Sequence, residues 1–198
     1  SWFGTVIQNG FASITLGSDA SGSLLITDDL SVDSPLTLKG IGVSVGLNST
    51  LTTTNDNLTI IDNGTGDLTT GNTISLGSGS LIKEGSGTYR LLGGNLSYSG
   101  ATEINAGTLE NNDQLPNTSA VSVASGATLK LYYYGSSYND TIGSIAGAGN
   151  IELGSGSTLT VGGNNSSTVF SGVISGLSDG GSLVKTGSGT LTLSGNNS

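Results

Sequence analysis

Apolar residues in this chain recur as short x-polar-x triplets, in which the first and third side chains share one face of a strand. Ile14-Thr15-Leu16, Leu24-Leu25-Ile26, Leu36-Thr37-Leu38, Val43-Ser44-Val45, Leu58-Thr59-Ile60 and Ile74-Ser75-Leu76 open the series. Val121-Ser122-Val123, Leu129-Lys130-Leu131, Ile151-Glu152-Leu153, Leu159-Thr160-Val161 and Leu191-Thr192-Leu193 continue it with a firmer consensus. The middle residue is usually polar, as expected when one face lines a narrow interior and the other meets water. No stretch holds an apolar period of 3.6, so no long helix is predicted. Gly126, Gly156 and Gly189 sit where corners with positive φ would be needed.

One long segment returns. Ser80-Leu81-Ile82-Lys83-Glu84-Gly85-Ser86-Gly87-Thr88-Tyr89-Arg90-Leu91 recurs as Ser182-Leu183-Val184-Lys185-Thr186-Gly187-Ser188-Gly189-Thr190-Leu191-Thr192-Leu193, 102 residues on, with Gly-Ser-Gly-Thr-x-x-Leu identical. A recurring unit too short to bury its own apolar face implies stacking on its neighbours. With rungs of roughly 20 to 25 residues, the reading is an all-β parallel β-solenoid of about eight to ten rungs over residues 1–198. Residues 1–79 are less regular and 80–198 more strictly repeated. An antiparallel sandwich remains an alternative on turn spacing alone.

Composition narrows the function. Glycine contributes 34 of 198 residues, against a usual share of about 7%, yet 34% of the chain is apolar and patterned, which argues for order. Charged residues make up only 10%, and the net charge is −9. Four lysines and Arg90, separated along the chain, supply no basic cluster for nucleic acid or an anionic membrane. His and Cys are both absent, which removes Ser-His-Asp and Cys-His catalysis and the usual zinc or iron ligands.

The motifs resemble the passenger-associated repeat of bacterial autotransporters, the type V secreted proteins. Gly187 to Ser198 carries the resemblance, and Gly94-Asn95-Leu96-Ser97-Tyr98-Ser99-Gly100-Ala101-Thr102-Glu103-Ile104-Asn105-Ala106-Gly107-Thr108-Leu109 supplies the continuation. Leu96 departs from the family's Asn, and Tyr89-Arg90 from its Leu-Thr. The resemblance implies a right-handed parallel β-helix, part of a longer passenger, exported to the bacterial cell surface or secreted, with a C-terminal β-barrel translocator in the full-length protein. It also implies a non-enzymatic adhesin or self-association module whose partners are a host cell-surface protein or glycan, or like molecules. An inert stalk and folding scaffold, and a released effector that binds a host receptor, are the alternatives.

Three features compete as sites. Asp28, Asp29, Asp56, Asp62 and Asp67 read as turn residues that bond their own backbone. Gly64-Thr65-Gly66-Asp67-Leu68 is a single Gly-x-Asp unit, short of the six to eight oxygens that calcium takes; no metal and no cofactor are expected. The Tyr132-Tyr133-Tyr134 run with Tyr138 is the candidate binding site. If Leu129 and Leu131 point inward, so does Tyr133, leaving Tyr132 and Tyr134 outward as amphipathic contact area; the plain alternative is a cluster that covers a rung edge. Asn164, Asn165, Asn196 and Asn197 are expected to stack as ladders in the turns. Trp2 and Phe3 are read as core or as an N-terminal cap.

Overall fold

The computed structural model describes residues 10–19, 22–133, 136–177 and 180–198, with the side chain of Tyr133 outside that set. Trp2 and Phe3 also lie outside it. The chain coils through three faces in strict succession. The first face is a nine-stranded sheet made of Ile14–Gly17, Leu36–Gly40, Leu58–Asp62, Leu81–Glu84, Thr102–Ile104, Ala120–Val123, Ser144–Gly147, Thr168–Phe170 and Leu191–Leu193. Neighbours are one turn apart, and every pairing in this sheet is parallel. The result is a parallel β-solenoid of about eight turns, and no helix occurs among the described residues.

The second face has nearly the same length, from Leu24–Ile26 through Val43–Val45, Thr65–Leu68, Thr88–Leu91, Thr108–Asn111, Thr128–Tyr133 and Asn150–Leu153 to Val173–Gly176. The third face is broken. Leu30–Val32, Thr50–Thr53, Asn72–Gly77 and Gly94–Tyr98 form a four-stranded sheet; residues 112–119 then cross without a strand, and pairing resumes with Asp140–Ile142, Thr158–Val161 and Ser182–Lys185. Leu115, 3% exposed, fills the interior at the break.

Stacking explains the short triplets. Leu36 lies beside Leu58 and Leu58 beside Leu81, 22 and 23 residues on, so each aliphatic side chain rests on its counterparts in adjacent turns. A triplet of three residues would be unstable alone; in the stack its interior side chains leave water entirely, and burying each is worth about 1.5–3 kcal/mol. All the predicted triplets are strands. Strands Thr50–Thr53 and Thr65–Leu68 were not legible, because Thr53 and Gly66 occupy inward positions that an aliphatic-only reading needs. The sandwich alternative fails because ladder pairing is parallel.

Two interior positions break the aliphatic rule. Lys83 stands between Ile60 and Ile104 in the first sheet's inner column and is 1% exposed. Tyr89 points inward, in register with Gly66 of the preceding turn. Among the described residues its phenol has no hydrogen-bond partner. Burial, with the charges of Asp62 and Asp67, raises it far above the ordinary range, so it remains a neutral donor. A buried unmatched hydroxyl costs about 1–3 kcal/mol. Tyr89→Phe is therefore expected to raise stability by about 1 kcal/mol in urea unfolding, and an equal loss instead would show that the hydroxyl is satisfied.

The corners correct two expectations. Gly126 and Gly156 do take positive φ, but Gly189 does not; the left-handed residue of that corner is Gly187. The asparagines do not form side-chain ladders. Asn55, Asn57, Asn63 and Asn165 each use Oδ1 to accept the backbone N–H of the residue 23 positions on, Ser78, Ser80, Ser86 and Ser188, at 2.9–3.2 Å. Asn197 accepts from Ile174 N at 2.9 Å, and Asn164 donates to Ser144 Oγ at 3.0 Å. A corner has no ladder to satisfy its amides, and a side-chain carbonyl one turn away does so.

Candidate functional site

On the second face the outward residues in register form one column, Asp67, Arg90, Glu110, Lys130 and Glu152. Signs alternate at every step. Arg90 grips both carboxylate oxygens of Asp67, and Lys130 Nζ donates to Glu110 at 3.0 Å. Asp67 thus lies on a strand and not in a turn, with its carboxylate committed to a guanidinium. Asp62 is likewise no surface turn residue: fully buried, it accepts Val43 N at 3.0 Å and Gly64 N at 2.8 Å. Among the described residues no three of His, Cys, Asp or Glu gather where they could hold a metal ion. The column was hidden in the sequence, where its members are 20 to 23 positions apart; only the turn length brings them together.

Tyr132 sits beside Lys130 and Glu152 of this column. Thr128–Tyr133 outruns the parallel ladder and turns back as Ser136–Ser137, which pairs antiparallel with Tyr132 and Tyr133. This is the one antiparallel pairing among the described residues, and it lays a hairpin against the next turn, where Ser137 Oγ donates to Ser155 O. The hairpin closes through Tyr138 N, which donates to Leu131 O at 3.3 Å, and Ser157 Oγ, which donates to the same carbonyl at 3.0 Å.

Tyr132 is clamped. Its phenol donates to Glu152 Oε2 at 3.0 Å, while Lys130 Nζ lies 4.4 Å from the ring centroid, within cation–π range. Partial burial, then the hydrogen bond and charge of Glu152, hold the phenol above its ordinary pKa, so it stays protonated at neutral pH. The ring is half-buried with its rotamer fixed, which removes much of the entropy that binding would otherwise cost. Tyr138 is half-buried at the hairpin's root. Tyr134 and the side chain of Tyr133 lie outside the described residues.

Comparison with known proteins bears on what such a solenoid belongs to. The passenger-associated-transport-repeat family matches residues 81–110 and 183–198, the two copies of the recurring segment. Both matched segments carry that repeat. The adhesin BmaC autotransporter of Brucella suis biovar 1 (strain 1330) is 38% identical over 116 residues, 57% of this chain and 3% of that protein. The chain thus spans about 3% of the length of that relative. No solved structure matches. These matches support an autotransporter passenger domain and a cell-surface or secreted location.

Proposed function

We propose that this chain is a non-enzymatic adhesive segment of a longer passenger, with the Tyr132–Tyr138 hairpin as its contact point for a host cell-surface protein or glycan. The observation that carries this reading is the hairpin itself: a departure from otherwise regular parallel coiling that presents a clamped aromatic ring. Aromatic anchors held rigid concentrate binding energy, and many copies on a surface multiply a modest single-site affinity. The relative named an adhesin is consistent with it. In the full-length protein a C-terminal β-barrel translocator would carry the passenger across the outer membrane.

The test displays the chain on cells and measures saturable binding to host cells alongside clumping of the displaying cells. Tyr132→Ser, alone and with Tyr134→Ser and Tyr138→Ser, is expected to weaken host-cell binding about thirtyfold, the loss of one hot spot of about 2 kcal/mol, while loss of the Glu152 bond and the Lys130 contact lowers stability by about 1–2 kcal/mol and leaves the chain folded. Clumping that the same variants abolish would mean that the partner is a like molecule. Binding unaffected by all three substitutions would remove the hairpin from the site.

A further inference from the structure

The root of the hairpin is tied to the one break in the third face. Strand Asp140–Ile142 begins two residues after Tyr138 and restarts that face beyond the 112–119 crossing. At its first position Asp140 points inward and is 3% exposed. One carboxyl oxygen accepts the Nδ2–H of Asn111, itself 2% exposed and 29 residues earlier, and the other accepts Thr141 N at 2.6 Å. Asn111 in turn holds the crossing segment, accepting Gln114 N through Oδ1 at 3.1 Å. A single chain of hydrogen bonds therefore runs from the crossing through Asn111 to the strand that anchors the hairpin. Asn139 adds a second tie, its Oδ1 accepting Thr158 N at 2.7 Å.

We propose that Asp140 is a pH-dependent latch on the root of the tyrosine hairpin, closed while its carboxyl is neutral and loosened when a negative charge is forced into the interior, at a desolvation cost that the bonds from Asn111 and Thr141 offset only in part. The inference concerns regulation of the same hairpin and rests on its adhesive reading for its biological meaning; the latch itself is a property of the fold. Among the described residues the surroundings offer that charge no cation. Asp113 reaches it from the crossing, and Tyr98, from strand Gly94–Tyr98, feels its charge. Tyr98 Oη is engaged with Thr102 Oγ1 at 2.7 Å, which lies 2.9 Å from Ser119 Oγ. Leu159, on the adjacent strand, is apolar.

Burial pushes the Asp140 carboxyl from its ordinary 3.8 up to about 7; the bonds from Asn111 and Thr141 oppose the rise, and the charge and hydrogen bonding of Asp113 add to it. With the folded value above the unfolded one, the folded state binds the extra proton between about pH 4 and 7. Stability from this group is then fully present below about pH 4 and lost as pH rises through about 7. Mildly acid surroundings close the latch, and neutral to alkaline ones relax it.

The experiment titrates Asp140 by carboxyl-carbon NMR and follows hydrogen-exchange protection of the Thr141, Gln114 and Tyr138 amides at pH 5 and pH 8. The expected result is a midpoint near neutrality and protection that falls about tenfold or more on going to pH 8. Asp140→Asn should abolish that pH step. Asp113→Asn, on an exposed side chain, keeps the test decisive should Asp140→Asn fail to fold, and should move the midpoint to lower pH. A carboxyl that titrates near 4, or a Tyr138 amide equally protected at both pH values, would overturn the latch. Host-cell binding at both pH values is a separate readout: a working latch with no cell binding would fault the adhesive reading alone.

Discussion

Replacing Lys83 by methionine is expected to lower stability by about 3 kcal/mol, although the new side chain suits an apolar column and nearly matches the old in size. The reason lies at the tip. Lys83 Nζ donates to Glu84 O at 2.6 Å, Gly85 O at 3.0 Å and Ala106 O at 3.2 Å, so the ammonium closes its own corner and ties it to the next turn. Gly85, at φ 77°, forms the first of these corners, and the buried ammonium serves carbonyls of both. Methionine would take that shared partner from all three. Burial lowers the Lys83 pKa to about 8, with Asp62 and Glu84 pulling the other way, so the ammonium keeps its charge at neutral pH. Lys185→Met is the internal comparison. Lys185 Nζ meets Thr186 O and Gly187 O in the same way, but the side chain is exposed, so water replaces what methionine removes and the loss should stay under about 1 kcal/mol. Urea unfolding of the two variants checks both numbers, and equal losses would mean that the ammonium is not the cap.

These two lysines explain what the 102-residue recurrence encodes. Leu81–Glu84 lies on the first face, whereas Ser182–Lys185 lies on the third. The copies are therefore not separated by a whole number of turns, and the motif specifies a strand, a lysine-capped corner and the following strand, whichever face that falls on. Triplets and glycine-rich corners were enough to read the parallel stack, since each states its local geometry openly. The inward lysine was also within reach, because Lys83 shares parity with Leu81; its charge disguised it. The tyrosine run was visible as residues, but the hairpin was not. Only the antiparallel pairing of Tyr132 with Ser137, and Glu152 arriving from the next turn, give it a shape, and neither is a local property. Asp140 was unreadable for the same reason: its burial follows from the break in the third face, 29 residues away from the Asn111 that meets it.

Gly172→Ala is expected to be among the most damaging small substitutions, costing about 3 kcal/mol or more, the upper end for overpacking. Gly149, Gly172 and Gly195 stack at one corner in successive turns. A Cβ on Gly172 would be driven into the carbonyl oxygen of Gly149, and one on Gly195 into that of Gly172. That oxygen has nowhere to go: Gly149 O already accepts Val173 N at 3.1 Å, and Ser171 N is held to Gly147 O at 2.8 Å on the other side. Relief would need the turns to part, which breaks parallel pairing on either side of the corner. Gly126→Ala separates this from glycine's freedom of conformation, since Gly126 has positive φ but open space around it. Its cost should be only the left-handed strain, about 1–2 kcal/mol. In a stack where each turn touches only its neighbours, the damage from Gly172→Ala should also be local. Protection of the Val173 and Ser194 amides should collapse while that of Leu58 and Leu81 holds, and uniform loss along the chain would mean that the solenoid unfolds as one unit.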